Sequence, residues 1–435
     1  MQLSRLIAYA LPALPLAALT LPLYIVVPTF YSETLGVSLA AVGAALLFVR
    51  IFDAVNDPLI GYVADRWRPS FGRRRAFFLL SLPLTAFAAL MLFWPPQGAG
   101  ALYIAVWGAA LSVGYTATLL PYSAWGAELA GSYAERSRIA AFRESFTLIG
   151  TLLAISLPFA IGIDDATGLH GLAVLGIVVG ALLLLLGGIA VWIVPEPVEY
   201  SIANVSLRQG FGHMAANRPF VRLIAAYFIN GLANGIPATL FLYFVSDRLG
   251  APDMRGPLLF IYFLAGIAGV PLAAWLAGRI GKHRAWCYAM VANCVLFAAV
   301  PFLAEGAVYP FGAICVLTGL CLGFDLALPA AIQADVIDVD TAASGEQRSG
   351  LYFAAWSLST KLSLALGVGI VFPLLGLFGF VPGGHNSDIA LTALVSIYVW
   401  LPLALKLTAI ALMWSFPLGE QEQAALRSEI ESRRR

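Results

Sequence analysis

Twelve apolar runs of membrane-spanning length constrain this chain more than any other feature. They fall at about 8–30, 38–64, 76–95, 100–128, 138–163, 170–194, 219–245, 257–279, 285–303, 308–336, 350–378 and 391–417. About 20 apolar residues in a helix cross a hydrocarbon core, and lipid offers the backbone no hydrogen-bond partner. Runs of this length therefore predict helices, and the chain is expected to be an all-α polytopic membrane protein. Of its 435 residues, 60% are hydrophobic and only 11% are charged, which excludes a soluble enzyme. A net charge of +1 leaves no footprint for nucleic acid. The first run has one arginine before it and no small-residue cleavage site, so it is expected to be a spanning helix rather than a removed signal. Pro12, Pro15 and Pro22 should kink it.

The basic residues predict the orientation. Arg50, Arg143, Lys361 and Lys406 lie inside apolar runs, and Arg248 and Arg255 lie in one loop. All other lysines and arginines fall in the termini and in alternate loops on one side, which predicts cytoplasmic termini. The longest polar connection, 195–218, divides the runs six and six. The expected organisation is an N-terminal bundle at 1–194, a cytoplasmic linker at 195–218, a C-terminal bundle at 219–417 and a cytoplasmic tail at 418–435. The halves echo each other: PLIGYVADR at 58–66 matches PLAAWLAGR at 271–279, and LLPYSAWGAEL at 119–129 matches ALPAAIQADV at 327–336. The loops after the first pair, GRRRAF and GKHRAW, also match. Two related six-helix halves are a transporter signature.

The stretch RIFDAVNDPLIGYVADRWRPSFGRRR, 50–75, carries the densest chemistry. Asp53, Asn56 and Asp57 are spaced i, i+3, i+4 and share one helix face, with Arg50 one turn earlier. At ~1.5 Å per residue Asp53 lies roughly 22 Å from Ser38, deep within a ~30 Å core. Charges at that depth face protein or a wet cavity. Asp65, Arg66, Arg73, Arg74 and Arg75 then mark the cytoplasmic exit, where they either clamp a gate or only set topology. Further along stand Thr116, Tyr122 and Trp125, then Arg143, then Asn230 and Asn234 beside Gly231, Gly235 and Pro237. Asp325, Trp356 and Lys361 follow, and Asp338 and Asp340 read as solvated loop acids. Asp53, Asp57 and Asp325 balance Arg50, Arg143 and Lys361, which predicts one shared network, with Lys406 set aside as able to snorkel. The four cysteines lie in apolar runs and read as packing residues. The sequence contains no HExxH, GxSxG or P-loop, and its four histidines fall near loops. An intramembrane enzyme or a receptor is thus a remote alternative to a transporter, and no cofactor is expected.

The pattern R-x-x-D-A-x-x-D-P at 50–58 resembles the helix-2 signature of the glycoside–pentoside–hexuronide cation symporters, the melibiose-permease-like branch of the major facilitator superfamily. The resemblance extends to PYSAWGAEL at 121–129, NGLANGIP at 230–237, ADVIDVD at 334–340 and Lys361. It implies twelve transmembrane helices in two pseudo-symmetric six-helix bundles, in the inner membrane of a bacterium, working as a monomer by alternating access. By position, Asp53, Asn56, Asp57 and Thr116 correspond to the coupling-cation site, for Na⁺ or H⁺. Arg143 corresponds to the substrate-side arginine, and Arg50 and Lys361 belong to the coupling network. The family's sugar-gripping acids of helices 1 and 4 have no counterpart in LPLAALTLP (14–22) or TATLLPY (116–122). The expected substrate is a small polar solute, a sugar or sugar-like acid, held among Tyr122, Trp125, Arg143, Asn230, Asn234, Asp325 and Trp356. A lysolipid, moved by a related animal branch, is the alternative.

Overall fold

The computed structural model describes residues 1–21, 27, 30–31, 35–37, 39–67, 69–130, 132–160, 169–196, 207–344, 348–380 and 386–432. Pro22 lies outside the described residues, as does the side chain of Arg50. The protein is all-α. Helices α1 (Leu3–Ala10) and α2 (Ala13–Leu21) are followed by α3 (Leu39–Arg66), α4 (Arg73–Phe93), α5 (Ala101–Leu129), α6 (Tyr133–Ala160) and α7 (Leu169–Ile193). After the short α8 (Leu207–Ala216) come α9 (Arg218–Tyr243), α10 (Arg255–Ile280), α11 (Lys282–Ala298), α12 (Val308–Ser344), α13 (Ser349–Leu377), α14 (Asp388–Met413) and the tail helix α15 (Glu420–Ser432). The α1–α2 pair makes the first span. With α3–α7 and α9–α14 it completes the twelve spanning helices of a major facilitator fold.

Local chemistry explains several helix boundaries. The first span breaks at Leu11–Pro12, where proline supplies no amide hydrogen. Asn217 caps α9 by accepting from the Phe220 N–H at 3.2 Å, and Ser387 caps α14 through the Ala390 N–H at 3.3 Å. Gly72 (φ 110°) opens α4 and Gly281 (φ 89°) opens α11, conformations that side chains resist. These two glycines occupy matching places in the echoed loops, so the internal repeat reaches the backbone. Despite Gly231, Gly235 and Pro237, α9 runs unbroken through them.

Large apolar side chains lie on the outside, among them Leu102, Leu185, Val295 and Ile389. Water would penalise that surface, whereas lipid is as apolar as the side chains themselves. Trp94, Trp192 (87% exposed) and Trp414 stand at helix ends, where amphipathic rings mark membrane interfaces.

The chain packs as two units. The first comprises Met1–Phe211 with Asp340–Ala355 and Ile430–Arg435; the second comprises Gly212–Val339 with Trp356–Glu429. In the first, α5 packs on α3 and α4, α2 packs on α6, and α4 also touches α7. Here α3 crosses the start of α13 closely: a Cβ built on Gly61 would lie 2.6 Å from the Gly350 carbonyl oxygen. In the second, α14 packs on α9 and α11 around Phe244, Phe311 and Tyr398.

One expectation fails here. Helix α12 continues to Ser344, so Asp338 and Asp340 are helical and buried rather than solvated. Each has a basic partner: Arg348 donates to Asp340 at 2.8 Å, and Arg427 of α15 approaches Asp338 at 3.7 Å. A basic partner outside the helix offsets the cost of burial, which spacing within the helix does not reveal.

Candidate functional site

Four clusters of polar side chains among the described residues bear on function. The first lies between α3 and α5. Val49 packs on Gly108, the Ser112 hydroxyl donates to Asp53, and the Thr116 hydroxyl donates to Asp57 at 2.8 Å. Every rung carries the same offset, so the two helices run parallel in register, one turn per rung. Gly108 makes the approach possible, since a Cβ there would sit 2.8 Å from Val49 Cγ2. Asp53 is 6% exposed and Asp57 fully buried. Two carboxylates and two hydroxyls in adjacent turns form an oxygen-only set, which suits a hard cation or a proton. Asn56 shares the α3 face, and its Nδ2 is buried without a partner among the described residues. The register brings Thr116 to the acids. Ser112, which sequence reasoning missed, stands one turn before Thr116 as Asp53 stands one turn before Asp57, and that spacing was its only signal.

The second cluster joins α1, α5 and α6. Tyr9 and Tyr122 stack with ring centroids 4.8 Å apart, each hydroxyl donating to the other's backbone carbonyl at 3.0 and 2.6 Å. Trp125 is buried and donates to the Pro195 carbonyl at 2.9 Å. Arg143 donates through Nε (2.9 Å) and Nη2 (2.5 Å) to the same oxygen of its neighbour Glu144. Sequence reasoning passed over Glu144, because adjacent helical residues do not ordinarily face each other.

The third cluster lies within the second unit. Asp325 of α12 accepts from Trp286 Nε1 of α11 at 2.7 Å, Asn234 Nδ2 of α9 at 3.0 Å and Lys406 Nζ of α14 at 3.2 Å. Lys406 also donates to Asn230 Oδ1 at 2.8 Å and is only 3% exposed. Asn230, Asn234 and Asp325 are thus brought together. One expectation needs correction. Lys406 does not snorkel, because a buried acid and an amide meet its ammonium directly. Asp325 pairs with Lys406 in the second unit, and Arg143 pairs with Glu144 in the first; the Arg50 side chain of the predicted network lies outside the described residues. Trp356 is stacked on Tyr227 of α9 with ring centroids 3.6 Å apart, and Lys361 is half-buried on α13.

The fourth cluster ends α3. Arg74 donates to Asp65 at 2.7 Å and to Glu128 at 2.6 Å, and Arg73 pairs with Glu128 at 3.1 Å. Asp65 also accepts the Gly350 and Leu351 backbone N–H groups at 2.9 and 3.0 Å, which caps the first turn of α13. Arg66 and Arg75 take other roles: Arg66 lies over the Tyr62 ring, and Arg75 donates to the Val191 carbonyl at 2.9 Å. Glu196 accepts the backbone N–H groups of Arg74 and Arg75 at the start of α4. Burial raises its carboxyl above the ordinary range, against the opposing pull of those two donors. The second unit repeats the basic–acidic pairing, with Lys282 on Asp335 at 2.6 Å.

Comparison with known proteins agrees with this architecture. The family described as MFS/sugar transport protein matches residues 8–420. The isoprimeverose transporter of Lactiplantibacillus pentosus is 24% identical, over 88% of this chain and 82% of that one. The sodium-dependent lysophosphatidylcholine symporter 1 of Homo sapiens is 23% identical, over 89% and 78%. The crystal structure of a bacterial homologue of the iron transporter ferroportin shares the fold, with a TM-score of 0.71 at 16% identity over 96% of this chain and 99% of that one. A match over nearly the whole length, on a fold of twelve spanning helices, places the chain in the MFS/sugar transport protein family, within the glycoside–pentoside–hexuronide branch, as a multi-pass membrane transporter and not an enzyme.

Proposed function

We propose that the protein is a symporter that couples a small polar solute, a sugar or sugar-like compound, to Na⁺ or H⁺ by alternating access. The observation that carries this reading is the α3–α5 ladder, where Ser112 and Thr116 meet Asp53 and Asp57 deep in a spanning segment. Carboxylates so placed require a compensating positive charge, and exchange of an internal partner for a cation or proton supplies a basis for coupling. Arg50 and Lys361 are the basic groups that would release the acids when the cation binds. Tyr122, Trp125, Arg143, Asn230, Asn234, Asp325 and Trp356 are the substrate-side candidates. The distribution of lysine and arginine supports cytoplasmic termini, and similarity to the bacterial isoprimeverose transporter supports a bacterial inner membrane. Bundles at 1–194 and 219–417, joined by the 195–218 linker, would exchange access to the two sides.

The test is uptake of labelled sugars into proteoliposomes under imposed Na⁺ or H⁺ gradients. Accumulation driven by one gradient supports the reading, and uptake indifferent to both overturns it. Lysolipid transport is the second reading. Similarity to the human lysophosphatidylcholine symporter favours it, as does the lack of acids in 14–22 and 116–122. Binding of lysophosphatidylcholine and of no sugar would decide for it.

The Asp65 cluster is proposed to clamp the cytoplasmic end. A carboxylate that accepts two N–H groups and a guanidinium loses charge-assisted bonds of about 1.5–3 kcal/mol each when neutralised. Asp65→Asn should therefore raise cysteine-labelling accessibility from the cytoplasmic side by about tenfold, with cation binding retained. Unchanged labelling would leave the arginines a topological role only.

A further inference from the structure

The Arg143–Glu144 pair has an incomplete hydrogen-bond inventory. Both donated bonds from Arg143 converge on Oε1 of Glu144, and no donor among the described residues reaches Oε2. The guanidinium has five N–H groups, of which two serve Glu144. The side chains keep 15% and 11% of their accessibility. They sit about 7.5 Å along α6 past Arg138, where its apolar run begins. Charged groups inside a spanning run that keep some accessible surface face protein or water rather than lipid.

We propose that Arg143 and Glu144 form a donor–acceptor dyad that selects neutral polyhydroxylated solutes and rejects their carboxylate counterparts. The inference rests on the sugar reading proposed above and names the substrate class within it. A sugar hydroxyl accepts from the guanidinium while its neighbour donates to Glu144 Oε2, so vicinal hydroxyls use both halves of the dyad at once. A uronate meets a different field. Arg143 is already neutralised, and a second carboxylate beside Glu144 adds like-charge repulsion at close range. An isolated Arg143 would attract an acid; a paired one does not. The wall of Tyr9, Tyr122 and Trp125 is rigid because its polar groups are committed to backbone carbonyls, so it holds the dyad in place.

The experiment is competition binding on the purified full-length protein. The probes are D-glucose, D-xylose and methyl β-D-galactoside against D-glucuronate and D-galacturonate. At least one neutral probe should bind about tenfold or more tightly than either uronate, the effect of one charge-assisted bond. Glu144→Gln should weaken that neutral probe about tenfold and bring the neutral-to-uronate ratio near one, while Glu144→Asp keeps the preference. A uronate preferred by the wild-type protein overturns the dyad and leaves the sugar reading standing. So does a ratio unmoved by Glu144→Gln, which would make the pair structural only. Should Glu144→Gln not fold, the wild-type ratio and Glu144→Asp decide. Binding of none of the five probes overturns the sugar reading and the dyad with it.

Discussion

Asp57→Asn is expected to leave the protein folded while lowering cation-driven uptake by about a hundredfold or more. Asp57 is fully buried and accepts the Thr116 hydroxyl at 2.8 Å. An asparagine Oδ1 can accept the same bond, so packing and the α3–α5 register survive. The unit charge does not survive, and it is the charge that holds a cation in a medium less polar than water. Ten- to hundredfold losses already follow from changing a ligand's second shell, so losing a charged ligand costs at least that much. Thr116→Val and Ser112→Ala remove one hydroxyl each and should cost about tenfold. Exchange of substrate without net accumulation is expected to persist in Asp57→Asn, because the substrate-side groups are untouched. Proteoliposome uptake under imposed Na⁺ and H⁺ gradients measures all of this. If the double variant Asp53→Asn, Asp57→Asn still concentrates substrate with wild-type cation dependence, the α3–α5 ladder is not the cation site.

Lys406→Met should produce a large loss of stability in the second unit. Its ammonium is buried against Asp325 and Asn230 at 3.2 and 2.8 Å. Methionine fills the space of the stem and leaves the Asp325 carboxylate, among the described residues, with the neutral donors Trp286 and Asn234. Removing one partner of a buried pair costs about 3–5 kcal/mol, which in a unit of this size lowers Tm by on the order of 10 °C. The double variant Lys406→Met, Asp325→Leu removes the stranded charge and should recover most of the loss. Arg279→Ala provides the contrast: that guanidinium lies exposed over Trp275, and its loss should be within about 0.5 kcal/mol. Thermal unfolding in detergent distinguishes these cases. A Lys406→Met protein that melts within about 1 °C of wild type would show that the pair adds nothing to the packing of α9, α11, α12 and α14.

Membrane spans were legible in the sequence because lipid imposes one rule on every segment. A run that crosses must be apolar and must satisfy its own backbone, so hydropathy and length alone yield the count of helices. The shared face of Asp53, Asn56 and Asp57 was legible for an equally local reason, the helical period. The α3 motif was also enough to place the chain in its family. Partners were another matter. Periodicity says which residues share a face, and nothing in it says what that face meets. The offset that aligns Ser112 with Asp53 came from a glycine, Gly108, which lets two helices close in register. Lys406 was free to snorkel or to pair, and the position of Asp325 across 81 residues decided for pairing. Asp340 read as a loop acid until Arg348 gave it a reason to be buried. Arg143 looked available to a substrate acid until its own neighbour took it. In each case a charge in a spanning segment carries a desolvation cost that only a correctly placed partner offsets, and that placement exists only once the helices have packed.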